Sequence, residues 1–184
     1  MLTALPLLSA LVAPVAHAED TVAIEALLQA RPQDGGAVGT GGGVRVGLGS
    51  LFLAGEGHAL GQGVWIGRGT VGLDLFGRSD KVDLTVGGFA GMTGGLVPDL
   101  GATPTYGVEL GLGVNAGRFS ARYRRAMGLT GAWTGALSED ELRAGWRFGE
   151  EERLFAFGQA VALRASDPAA TDAVGLGAGL SLSF

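Results

Sequence analysis

Of the side chains that could carry chemistry in this 184-residue chain, the imidazoles are the scarcest: His17 and His58. His17 lies in an apolar leader described below, which leaves His58 as the single histidine of a processed chain. An activated nucleophile needs Ser or Thr within hydrogen-bond reach of an imidazole that an acid orients. Gly55-Glu56-Gly57-His58 supplies an acid two residues away, and Ser50 stands nearby in sequence. Ser50 nevertheless alternates in step with apolar residues, and no deacylase motif surrounds His58. A lone histidine in a glycine-rich loop reads as a solvated residue, so no catalytic residue is assigned. With no cysteine and one retained histidine, no metal site is expected either. The run Glu150-Glu151-Glu152 occupies a single turn, whereas a calcium cage wants oxygens converging from several directions. Gly41-Gly42-Gly43 lacks the strand-to-helix setting of a phosphate or dinucleotide loop, so no cofactor is expected.

Charge offers more. Arginine outnumbers lysine twelve to one, and the net charge of −5 argues against a nucleic-acid partner, which would want a basic stripe. Charged residues are only 17% of the chain against 47% hydrophobic, mean hydropathy is +0.32, and glycine supplies 35 positions. That composition excludes disorder. The glycines follow no three-residue period, so a collagen helix is excluded too.

The elements that must position these charges repeat with a period of two. Val44, Val46, Leu48, Ser50 and Phe52 alternate with Arg45, Gly47, Gly49 and Leu51. The same pattern runs through Val82 to Ala90, Tyr106 to Asn115 and Val174 to Phe184. Successive strand side chains point to opposite faces, so each stretch predicts a strand with one apolar and one small or polar face. Eight strands are expected, near 43–54, 63–76, 81–92, 105–115, 118–128, 139–148, 153–164 and 173–184. Tight turns join some of them, and longer loops at 55–62, 93–104, 129–138 and 165–172 join the others, Trp133 being their one large anchor. Short turns on one rim and long loops on the other are the layout of an outer-membrane barrel. Phe52, Trp65 and Tyr106 are expected at the long-loop rim. Phe119, Trp146, Phe148, Phe155, Phe157 and Phe184 are expected at the short-turn rim, as two aromatic girdles.

A soluble barrel would turn the apolar face inward. The polar faces here hold Gly, Ala, Ser and Arg rather than the Lys and Glu of a soluble surface, which favours the reverse. A lumen charge network is therefore expected from Arg45, Arg68, Asp74, Asp83, Glu109, Arg122, Arg124, Glu141, Arg143, Arg147 and Arg164, because the guanidinium fork pairs with carboxylates while staying charged. Ala156, Gly158, Ala160, Ala162, Gly175, Gly177 and Gly179 are expected to line the other half of the lumen. Arg125 falls on the lipid side with Phe119, Ala121 and Tyr123. It is either a lipid-headgroup contact or is returned to the lumen by a one-residue bulge.

With the faces so assigned, the chain from about Gly43 to Phe184 resembles the small OmpA/OmpX-type eight-stranded outer-membrane β-barrels of Gram-negative bacteria. Leu180-Ser181-Leu182-Ser183-Phe184 is similar to their last strand. The resemblance implies an all-β, antiparallel, up-and-down transmembrane barrel, with Phe184 as the signal read by the barrel-assembly machinery. Outer-membrane lipid and lipopolysaccharide would be its surroundings and a monomer its state. Ahead of the barrel, Met1 to Ala18 is an apolar run ending in Ala16-His17-Ala18, the pattern of a secretory signal peptide. Residues 19–42 are left as a periplasmic lead. Thr21 to Arg31 suits a short helix capped by Asp20, although it also alternates as a strand. A strand there would need a tenth to keep the count even. The expected role is non-enzymatic, in envelope integrity or surface interaction. A narrow channel or small-ligand passage through the Gly/Ala-lined lumen stands second, and a lipid-modifying enzyme using His58 third.

Overall fold

The computed structural model describes residues 21–31, 37–61, 63–75, 81–96, 101–130, 136–166, 170 and 172–184; the leader at 1–18 and Trp133 lie outside them. Alternation becomes ten strands: β1 (Thr21–Arg31), β2 (Ala37–Leu48), β3 (Leu51–Gly61), β4 (Val64–Asp74), β5 (Val82–Gly94), β6 (Thr103–Ala116), β7 (Phe119–Thr130), β8 (Ala136–Phe148), β9 (Leu154–Ala165) and β10 (Ala173–Ser183). Each pairs antiparallel with its sequence neighbours, and β1 pairs with β10 to close the barrel. At the seam Phe184 N–H donates to Val22 O at 2.8 Å and Val22 N–H to Phe184 O at 3.3 Å. Closure leaves no unpaired strand edge.

The eight-strand expectation is corrected to ten, and both missing strands have a physical origin. The stretch expected as one strand at 43–54 is two, folded at Gly49-Ser50 so that Leu48 pairs with Leu51. Gly49 takes φ of 61° at the first position of this two-residue loop, a conformation that costs other residues but not glycine. The expected loop at 55–62 accordingly becomes most of β3. The other new strand is β1, where a short helix was expected. It sits between β2 and β10 with eleven register pairs to β2, so β2 and β10 are not neighbours.

The even count leaves the start of β1 and the end of β10 on one rim. This terminal rim also carries the turns at Gly49-Ser50, Gly117-Arg118 and 149–153 and the β4–β5 connection. The remaining connections lie on the opposite, distal rim. Large apolar side chains stand at outward positions on most strands, among them Val22, Ile24, Val44, Leu53, Val71, Tyr106, Val108, Leu110, Leu112, Leu142, Leu176 and Leu180. Trp65 and Tyr106 face out near the distal rim, and Phe119, Trp146, Phe148 and Phe184 near the terminal rim. Three expected girdle residues are corrected. Phe52 lies in the lumen by the terminal rim, fully buried, because the turn at Gly49-Ser50 resets the alternation that continued on paper. Phe155 and Phe157 also face inward, stacked with centroids 5.5 Å apart. Ala156, Gly158, Ala160 and Ala162 therefore line the outer face of β9 and not the lumen.

Candidate functional site: the layered lumen

Three layers fill the barrel from the distal rim inward. The first is an apolar seal of Val64, Ile66, Leu96, Leu137, Leu163 and Ala173, with Leu163 fully buried. These residues begin β4, β8 and β10, end β9 and follow β5, so side chains from five places meet at the distal end of the lumen.

Beneath it lies a charged layer whose hub is Arg124. Its guanidinium donates to both carboxylate oxygens of Glu56, at 2.8 and 3.0 Å, to Glu139 at 3.0 Å and to Glu141, with Glu109 at 3.9 Å. Arg68 grips Glu139 with two nitrogens, at 3.1 and 3.2 Å, and donates a third bond to Glu56. Arg143 reaches both oxygens of Glu25, at 2.8 and 2.7 Å, Glu141 at 3.1 Å and Gln159 at 3.0 Å. Glu109, Glu139 and Glu141 are each about 5% exposed, so without these partners their charges would stand desolvated. The pairs join opposite walls: β3 to β7, β4 to β8, and β8 to β1. Aromatic faces cover the guanidiniums, Phe89 at 5.3 Å from Arg68 and Phe157 at 4.3 Å from Arg143. His58 shares this layer, 3.6 Å from Glu56.

The third layer opens toward the terminal rim as a vestibule of about 440 Å³, lined by Arg45, Asp83, Arg122, Arg147, Ser120 and Ser181 among others. Arg45 binds both oxygens of Asp74, at 2.9 and 2.8 Å, and lies 3.7 Å over the Phe52 ring. Arg122 donates to Thr85 at 2.9 Å and Arg147 to Asn115 at 3.1 Å. Between vestibule and seal a cavity of about 70 Å³ lies within the charged layer, lined by Glu25, Glu56, His58, Arg124 and Arg143 among others.

Of the expected network, Arg68, Glu109, Arg124, Glu141 and Arg143 meet in the charged layer, while Arg45, Asp74, Asp83, Arg122 and Arg147 line the vestibule side. Arg164 is corrected: it faces outward and binds Asp140 at 3.3 Å. Arg125 also faces outward, with no bulge in the β7 register, 3.7 Å from Asp140. Sequence reasoning missed Glu25, Glu56, Glu139 and Gln159. Glu25 and Glu56 were assigned to a lead and a loop, and Glu139 was passed over although its parity with Glu141 and Arg143 marks it as a lumen residue. His58 is a strand residue, and Ser50 sits in the turn at the terminal rim, eight residues or about 25 Å of extended chain away. Ser50 therefore cannot serve His58 as a nucleophile. Among the described residues no cluster of His, Asp or Glu is arranged to hold a metal ion.

No protein-family model and no curated protein matches the sequence. Among solved structures, the outer membrane protein OpdK from Pseudomonas aeruginosa matches with 11% identity and a TM-score of 0.34, over 80% of this chain and 57% of that one. This chain thus spans somewhat over half the length of that protein.

Proposed function

We propose that this chain is a non-catalytic β-barrel of the bacterial outer membrane, a monomer with a closed lumen that serves envelope integrity. The observation carrying this reading is the inversion of its faces. Large apolar side chains such as Leu110, Leu112, Leu142 and Leu180 are about half exposed on the outside, while Arg68, Glu109, Glu139 and Glu141 are buried within. In water that arrangement would waste the apolar surface and desolvate the charges. In a bilayer the outer surface meets hydrocarbon, and every backbone donor is met by closure. Residue-rich strands of eleven to fourteen positions are long enough to cross at a tilt. The resemblance to small barrels whose last Phe is read by the assembly machinery gives Phe184 that role during insertion, with outer-membrane lipid and lipopolysaccharide as the surroundings.

A narrow passage is the weaker reading. Solute entering the vestibule meets Arg124 and Arg143 tied to opposing glutamates, and beyond them the seal around Leu163. The test is gel mobility of the outer-membrane fraction, boiled against unboiled, followed by planar-bilayer recording. A folded band that shifts on boiling and shows no discrete openings is expected. Reproducible openings would replace the closed barrel with a channel. A protein soluble in the periplasm without any shift would overturn the membrane reading.

A further inference from the structure

The outward face of the strands is apolar except at one place. Among the described residues, the charged side chains at outward strand positions are Arg125, Asp140 and Arg164, and all three sit together on the adjacent strands β7, β8 and β9. Arg125 pairs in register with Asp140, and Asp140 with Ala162, two positions from Arg164. Tyr123 completes the group, its hydroxyl donating to Asp140 at 2.5 Å. Chance scatter would have spread three charges around ten strands.

The cluster does not neutralise itself. Two guanidiniums share one carboxylate, which leaves one positive charge in excess. The N···O distances of 3.7 Å from Arg125 and 3.3 Å from Arg164 exceed those of a tight charge-assisted bond. The lumen pairs Arg45–Asp74 and Arg143–Glu25 close to 2.7–2.9 Å. Arg125 and Arg164 keep 47% and 58% of their side-chain surface exposed, so an outside anion can approach both guanidiniums. A surplus cation against hydrocarbon needs an anion from outside the chain.

Depth indicates which anion. Tyr106 of the distal girdle shares a row with Leu129 and Ala136, and Arg164 shares its row with Ser138, one outward position deeper. Arg125 lies four residues below Leu129, about 10 Å for a tilted strand. Arg164 is the penultimate residue of β9, at the distal rim, and the long Arg125 stem extends toward the same level. Below them the outer face of β9 offers only Ala162, Ala160, Gly158 and Ala156, a shallow strip beside the charges. We propose that Arg125, Arg164, Asp140 and Tyr123 form a lipid-binding site for the phosphate of lipid A, with Asp140 tethering both arginines and Tyr123 donating to it. This site rests on the membrane reading above and on the distal rim facing the outer leaflet.

The test uses the full chain folded in nonionic detergent, with the heat-induced mobility shift read against added lipid. Diphosphoryl lipid A should raise the temperature at which the folded band is lost, and enzymatically dephosphorylated lipid A and inorganic phosphate should not. Arg125→Gln/Arg164→Gln should keep its own shift but bind lipid A roughly tenfold more weakly, as expected for lost charge-assisted bonds. Asp140→Asn, which removes a competing carboxylate, should bind at least as tightly as the parent, whereas a purely structural ion pair would simply weaken. Equal protection of the double variant by lipid A would overturn the site. Equal protection by inorganic phosphate would overturn the lipid assignment. A chain that never enters micelles fails earlier, at the membrane reading itself.

Discussion

Replacing Arg124 with methionine is the sharpest probe of the charged layer. The substitution keeps the length and apolar stem but removes the guanidinium that binds Glu56, Glu139 and Glu141 and lies 3.9 Å from Glu109. Three of these acids retain another arginine: Glu56 and Glu139 keep Arg68, and Glu141 keeps Arg143. Glu109 is left with a 3.4 Å bond from Thr70. Five carboxylates, counting Glu25 on Arg143, would then share Arg68 and Arg143 as the ion-pair partners in this layer. Breaking a buried pair from one side costs about 3–5 kcal/mol, and that is the expected destabilisation. Arg124→Lys keeps the charge but not the fork, so it should lose less, about 1.5–3 kcal/mol. Urea unfolding in vesicles, followed by the loss of the heat-shifted band and by tryptophan emission, reads both. Adding Glu141→Gln to Arg124→Met should restore part of the loss through a positive coupling. A single-variant cost below about 1 kcal/mol, the range of exposed pairs, would refute the idea that this layer holds the barrel walls together.

Three more expectations follow from other layers. Leu163→Ala, at a fully buried seal position, should cost about 2–4 kcal/mol in the same unfolding assay yet leave the bilayer silent, because the charged layer still blocks the path. Gly49→Ala meets open space at its new Cβ, so its cost of about 1 kcal/mol should come from the positive φ alone, with an unchanged urea slope. Leu112→Arg, on the outward face near mid-height, should cost about 2–4 kcal/mol in a bilayer, whereas a water-facing position would tolerate it; near-zero cost in vesicles would count against the membrane reading.

Much of this molecule was legible from alternation alone, and its failures share a cause. From Val64 onward the strand boundaries fall within a few residues of expectation, because long apolar-polar runs are broken either by long loops or by turns such as Asn115-Ala116-Gly117-Arg118. Around Gly49-Ser50 the parity Val44, Val46, Leu48, Ser50, Phe52 runs straight through the turn, and that unbroken alternation outweighs the Gly-Ser hairpin dipeptide that marks it. Strand β2 was hidden by its own composition, since Ala37-Val38-Gly39-Thr40-Gly41-Gly42-Gly43 has little β propensity. Pairing on both sides overrides that weakness, and close packing requires the glycines: a Cβ on Gly42 would stand 2.8 Å from Glu25 O. Without β2 there was no partner for Thr21 to Arg31, so that segment defaulted to a helix. On β9 both faces are apolar, so Phe155 and Phe157 were read onto the wrong side, and Arg164 with them. The arginines of the charged layer were visible because arginine was the one abundant cation. Their glutamates were harder to see, since Glu25 and Glu56 belong to the two strands that were missed.

The unequal ends of the lumen give the barrel a polarity that its strands do not have. The vestibule arginines line a cavity at the terminal rim, while the distal end carries the apolar cluster around Leu163. The charged interior is therefore wetted from the terminal side. In the orientation proposed here that side is the periplasm, so the vestibule arginines answer to the salt and acidity of that compartment.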